Sequence, residues 1–303
     1  MALTVIALAL IAADRIYGLV FDYAFARSSF NVAAQVERAD PHTLVIGASG
    51  GKYALDPAVL GEGSYNAAQN GQSGYYVAAL LNALPTGSNL SRVIYAFDPD
   101  DVASGLRGSN VKHLARFAPW SRQDPQLRGW LTRGRLIESV KLYSHIYRYR
   151  GIAAAVIRGW RKPAWDNTGY QPLTGIMPAR PLPDRPSRPA LRPPDDGIAL
   201  LHAIAAAVRR HNVQLVVLSA PMHGYDRTVR TNLAPLYEAM REAFSGLDFC
   251  DLTTVRDPRL DHIHSAHTYY FDGAHANAEG AQAFSAVIRD LMTGHCGTAN
   301  HHN

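Results

Sequence analysis

The sequence predicts an α/β protein with a mainly parallel sheet, and three features carry that prediction. The apolar runs at residues 44–46, 92–97 and 214–219 are of strand length, too short for helices, and each gives way to small or polar turn residues. After the third, Ala220-Pro221-Met222-His223 turns the chain into a helical pattern over about residues 228–244, the β/α unit from which parallel sheets are assembled. A chain of 303 residues, 47% of them hydrophobic, is long enough for one large domain with insertions and is neither disordered nor fibrous in composition.

Taken in order, the chain opens on residues 1–13, all but Thr4 apolar, and after Asp14-Arg15 the pattern resumes over 16–25. The first run alone is shorter than the roughly 20 residues that cross a bilayer. No basic stretch precedes it and no clear cleavage site follows, so residues 1–25 read as an uncleaved membrane anchor, which a start upstream of Met1 would lengthen. A buried amphipathic helix of a soluble protein is the alternative, because Asp14 and Arg15 interrupt the run. Residues 26–41 form a connector, and the main domain spans 42–295. Within it, residues 65–74 are turn-rich, 75–84 read as a helix packed on the sheet, and the 92–97 strand ends in Asp98-Pro99-Asp100-Asp101. Residues 102–194 form an insertion. Its 136–160 stretch reads as one or two basic amphipathic helices carrying Tyr143, Tyr147, Tyr149 and Trp160, and 162–194 is rich in proline and arginine. That insertion is a tyrosine-lined surface element, or else a lid or a surface for lipid headgroups or a partner. A helix over 198–211, a last short strand over 249–253, a helix over 278–292 and a loose tail at 296–303 complete the reading.

The formal charge of +5 comes from widely spread arginine, densest at 148–162, so nucleic acid is not implied; a basic face beside an anionic membrane or glycan fits equally well. Cys250 and Cys296 lack metal-ligand spacing and are expected as two unpaired small residues, with a disulfide in an oxidising compartment as the alternative. The histidines of Asp261-His262-Ile263-His264-Ser265-Ala266-His267 have no ligand spacing either, so neither a metal nor another cofactor is expected.

The most informative stretch is Leu44-Val45-Ile46-Gly47-Ala48-Ser49-Gly50-Gly51-Lys52. A serine on such a turn lies at the carboxyl end of a strand, where open α/β sheets place their ligands, and Gly50 and Gly51 leave the following N–H groups accessible to an anion. A serine hydroxyl is inert near neutral pH without a base. The base is expected in Phe271-Asp272-Gly273-Ala274-His275-Ala276-Asn277, where His275 precedes a helix start marked by Asn277 and Asp272 stands three residues earlier, within reach of the imidazole. Ser49, His275 and Asp272 thus form a candidate triad, against bland readings of Ser49 as a small turn residue and Asp272 as a helix cap. Asp98 and His223, both just beyond strand ends, are candidate substrate-binding residues, although a loop histidine is an equally good reading of His223.

These blocks, together with the Asn-x-x-x-x-Gly segment at Asn66 to Gly71, resemble the SGNH/GDSL hydrolase superfamily. Gly47-Ala48-Ser49 leading to Tyr53-Ala54-Leu55-Asp56-Pro57 is similar to its membrane-anchored branch, which accompanies membrane-bound O-acyltransferases. The resemblance covers both ends of the domain but not the insertion. It implies a three-layer α/β/α flavodoxin-like sandwich in which Ser49 is the nucleophile, His275 the base, Asp272 its orienter, and the N–H groups of Ser49 and Gly71 the oxyanion donors. It further implies acyl transfer or ester hydrolysis on an exopolysaccharide or other cell-envelope glycan, with an acyl donor, a glycan acceptor and a membrane-bound O-acyltransferase as partners. The periplasmic or extracellular face is the implied location. One departure stands out: the family's third block supplies an asparagine to the oxyanion, and here that strand ends in Ala96-Phe97-Asp98-Pro99. A non-catalytic glycan-binding or scaffolding protein is the rival reading.

Overall fold

Strands β1 (Thr43–Gly47), β2 (Ser64–Asn66), β3 (Arg92–Ala96), β4 (Gln214–Leu218) and β5 (Phe249–Asp251) form one sheet in the order β2-β1-β3-β4-β5, and every neighbouring pair is parallel. The computed structural model describes residues 1–106, 114–161, 168–179, 190–224 and 233–296. Leu44, Val45, Ile46, Val93, Ile94, Leu215, Val216 and Val217 are wholly buried. That is the signature of strands covered by helices on both faces, a three-layer α/β/α arrangement. On one face Val45, Ile94 and Val216 pack with Phe284, Val287, Ile288 and Leu291 of the last helix, Ala278–Leu291. On the other, the helices Gly74–Ala83 and Asp195–His211 approach so closely that a Cβ at Gly74 would meet Leu200 at 2.9 Å and the Tyr95 hydroxyl at 3.1 Å. The strand order reverses between β1 and β3, and in such sheets the crevice at the carboxyl ends of those two strands is where ligands bind.

Several elements depart from the sequence reading. Residues 65–74, read as turn, contribute the end of β2, a three-residue strand without a β-branched side chain, paired Thr43 to Ser64 and Val45 to Asn66. The connector at 26–41 contains the helix Val32–Ala39. The 136–160 stretch is three helices, Leu136–Lys141, His145–Tyr149 and Ala153–Arg161, broken where the Ser144 hydroxyl accepts from the Tyr147 N–H and restarts the helix. The expected helix start near residue 228 and the tail from 297 lie outside the described residues. Cys250 and Cys296 are joined by a disulfide, which corrects the expectation of two unpaired thiols: β5 and the turn after the last helix bring their Cα atoms to 5.5 Å.

The chain divides into two compact units, one comprising Met1–Arg38, Asn82–Leu84 and Leu106–Trp165, the other Ala39–Leu81, Pro85–Gly105 and Asp166–Asn303. The first contains the helix α1 (Ala2–Arg27), which is long and apolar enough to cross a membrane; the second contains the sheet.

Candidate active site

Ser49 is delivered by β1. The last residue of that strand, Gly47, sits at φ 137°, a conformation glycine alone adopts freely, and a Cβ there would lie 2.6 Å from the Ala96 carbonyl oxygen. The chain then turns into the helix Ser49–Ala54, so the Ser49 N–H is one of the donors that a helix leaves unpaired at its start. Gly51 lets this helix lie against β3, since a Cβ would be 2.6 Å from that of Ala96. Its far end is gripped by buried Asn66, whose Nδ2 donates to the carbonyls of Gly51 at 3.0 Å, Lys52 at 3.3 Å and Leu55 at 2.8 Å. The Asp56 N–H donates to Ser285 Oγ of the last helix at 2.8 Å. The helix that follows His275 therefore also fixes the end of the helix that begins at Ser49.

The loop before that last helix is equally constrained. Asp272 Oδ1 accepts from the Ala274 N–H at 2.8 Å and the His275 N–H at 2.9 Å, while the Phe271 N–H donates to the His275 carbonyl at 2.9 Å. Asn277 caps the helix by accepting from the Gly280 N–H at 2.9 Å, and its Nδ2 donates to the carbonyls of Gly175 and Thr268.

These two constructions bring three sequence-predicted residues together. His275 Nε2 lies 2.9 Å from Ser49 Oγ, and His275 Nδ1 lies 3.0 Å from both carboxylate oxygens of Asp272. With the proton on Nδ1 held by Asp272, Nε2 is free to accept the Ser49 proton. Desolvation pushes the Asp272 pKa up, but the hydrogen bonds from His275 and Ala274 outweigh it, and the carboxyl is held below its ordinary value. The group stays ionised at neutral pH. Such an arrangement can raise the nucleophilicity of a hydroxyl and hold the imidazolium that results.

The other predicted residues fall as follows. Gly71 takes the left-handed conformation, φ 65°, in the loop after β2. Its neighbour Asn70 donates from Nδ2 to the Tyr53 hydroxyl at 2.7 Å, and the Tyr53 ring meets His275 edge-on with centroids 5.3 Å apart. Asp98 stands just beyond β3, beside β1, and is turned onto its own chain: Oδ1 accepts from the Asp100 N–H at 3.0 Å and caps the helix Pro99–Ala103. Its side chain opens to solvent, yet the atoms crowding it desolvate the carboxylate enough to raise its pKa. His223 is buried and packs against the Tyr270 ring, centroids 5.5 Å apart. His262 packs on Tyr269, and His264 Nδ1 faces the Met222 carbonyl at 3.3 Å.

Two contributors were given no role in the sequence reading. Tyr53 lies four residues after Ser49 on one helix, so the i, i+4 rule places both on one face; that spacing was the available signal. The second is the segment 168–179, within the proline- and arginine-rich stretch. Its Thr168 carbonyl accepts from the Asn66 N–H at 2.7 Å, its Leu173 carbonyl from the Ala278 N–H at 2.9 Å, and its Met177 N–H donates to the Tyr270 carbonyl at 2.8 Å. It is a strap supporting the loop of His275, and no periodicity marks it in the sequence.

No family model matches the chain, and no curated protein matches it. Among solved structures it is similar to one described as "The structure of a putative platelet activating factor from Streptococcus pneumonia", with a TM-score of 0.42 and 13% identity over 96% of this chain and 98% of that one. A likeness at that level carries no weight for the chemistry.

Proposed function

We propose that this protein is a serine-dependent acyl-ester enzyme, an O-acyltransferase or esterase, acting on a cell-envelope glycan. The single observation that carries the reading is the continuous hydrogen-bonded relay from Ser49 through His275 to Asp272. In it, Ser49 Oγ attacks an acyl carbonyl as His275 Nε2 takes its proton, and Asp272 stabilises the imidazolium. The N–H groups of Ser49 and Gly71 receive the developing oxyanion. Collapse of the tetrahedral intermediate expels the leaving oxygen, which His275 protonates, and an acyl-serine remains. A sugar hydroxyl or water then gives its proton to His275, attacks the acyl group and restores Ser49. Asp98 spends one carboxylate oxygen on its own helix cap.

The anchor reading of α1 and the outer face follow from two further supports. The helix is 26 residues long and buries few of its apolar side chains, and a disulfide is a feature of oxidising compartments. The glycan acceptor and a membrane-bound acyltransferase partner rest on the sequence resemblance.

The test is intact-mass spectrometry after incubation with p-nitrophenyl acetate, parent beside Ser49→Ala. An acetyl adduct or ester turnover in the parent alone supports a nucleophilic Ser49. Equal behaviour of the two proteins, with short and long acyl donors, refutes it in favour of a non-catalytic binding role.

A further inference from the structure

The helix Leu136–Lys141 buries none of its residues. Leu136, Ile137 and Val140 fall at i, i+1 and i+4, a single helical face, and are 78%, 70% and 60% exposed; Tyr143, in the turn that follows, is 56% exposed. A contiguous apolar face of this kind marks a contact with something outside the chain.

Three observations identify its partner. The first is continuity with α1, which belongs to the same compact unit. The Asp14 carboxylate of α1 accepts from the Ser144 hydroxyl at 2.7 Å and from the N–H groups of His145 at 3.1 Å and Ile146 at 3.0 Å, capping the helix His145–Tyr149. The Tyr149 hydroxyl donates to Asp22 at 2.6 Å, and Gly18 is the residue that lets His145 approach. Both acidic residues of the apolar helix are thus bound by the segment that carries the exposed face. The second is charge: residues 114–161 hold ten Lys and Arg against two Asp and Glu, a formal +8 in a chain whose total is +5. The third is the pairing of cations with tyrosines at the face itself: Arg122 lies 5.8 Å from the Tyr143 ring, and Lys141 and Arg150 lie 5.7 Å and 3.6 Å from that of Tyr147. Apolar side chains beside tyrosines and a dense cationic surround match the boundary between acyl chains and anionic headgroups.

We propose that the Leu136–Tyr143 face inserts into the headgroup and acyl boundary of an anionic bilayer, as a second membrane contact beside α1. The inference rests on the reading of α1 as a membrane anchor, with its wholly exposed residues 2–13 in the bilayer and Asp14, which holds Ser144, His145 and Ile146, at the boundary. It makes this part of the insertion a membrane-lying element.

The test uses the full chain in vesicles of phosphatidylcholine and phosphatidylglycerol with brominated acyl chains. Bimane is placed on Ile137→Cys, on Leu8→Cys in α1, and on Glu62→Cys as an aqueous control. Bromine quenching at positions 8 and 137 but not 62, weakening at 137 when phosphatidylglycerol is replaced by phosphatidylcholine, is the expected result. Quenching at 8 with position 137 open to aqueous iodide overturns the inference and leaves the α1 reading intact. Shielding of 137 from both quenchers means a protein covers the face, a second copy or a partner, and also overturns it. Quenching at neither 8 nor 137 removes the membrane reading of α1 and this inference with it.

Discussion

Asp272→Asn tests the relay with little disturbance of the loop. The asparagine Oδ1 still accepts from the Ala274 and His275 N–H groups, but its amide presents N–H where the carboxylate accepted from Nδ1. The imidazole is driven to the tautomer that donates from Nε2, so it no longer takes the Ser49 proton, and the imidazolium loses its counter-charge. At the 3.0 Å separation, that counter-charge amounts to about 1.4 kcal/mol at the dielectric of water and about 5.5 kcal/mol at an effective dielectric of 20. The Asp272 side chain is 48% exposed, which places the loss between these limits, at about 3 kcal/mol. This corresponds to roughly a hundredfold in kcat/KM, short of the ~10⁴ lost when a fully buried triad aspartate is replaced. The assay is p-nitrophenyl ester turnover at neutral pH, with circular dichroism and Tm recorded alongside. Because the folded pKa of Asp272 is lowered, its ionised form stabilises the fold fully above the ordinary carboxylate value of about 3.9, and that contribution disappears as pH falls through the lower folded value. The parent's stability advantage over the variant therefore narrows below about pH 4. A variant within a few-fold of parental activity would refute the orienting role of Asp272.

Gly51→Ala places a methyl group 2.6 Å from the Ala96 Cβ, so Tm falls by the equivalent of about 1–3 kcal/mol although alanine is the better helix former; a raised Tm would contradict the packing of the Ser49 helix on β3. Reducing the Cys250–Cys296 bridge, which spans 46 residues, lowers stability by about 4 kcal/mol on a chain-entropy basis. Thiol titration of the denatured chain, before and after reductant, checks that the bridge is present at all.

The site was legible where local rules govern it. Strand-length apolar runs placed β1, β3 and β4, the small residues at 47–51 located the turn, and Asn277 marked the start of the last helix. The separation of Asp272 from His275 is short enough for one loop to align them. What stayed hidden depends on tertiary partners. β2 is three residues whose strand character comes from pairing with β1, and Cys250 and Cys296 meet only because β5 and the last helix are neighbours. The Asp98 cap is different in kind: it is local, to Asp100 two residues on, and Asp98-Pro99 is a helix-start signal that the sequence reading passed over. Asn66, matched as part of a family block, turns out to hold backbone carbonyls.

The strap at 168–179 alters what kind of object the insertion is. An excursion between two sheet strands is ordinarily a cassette, exchangeable so long as its ends stay close together. Here the excursion returns to hold Asn66, Tyr270 and Ala278 by backbone hydrogen bonds, and Asn277 through its side chain. Splicing Gly105 directly to Asp195 would preserve the sheet on paper while removing the brace on the loop of His275. A minimal version of this scaffold must therefore keep the strap or design a replacement for it.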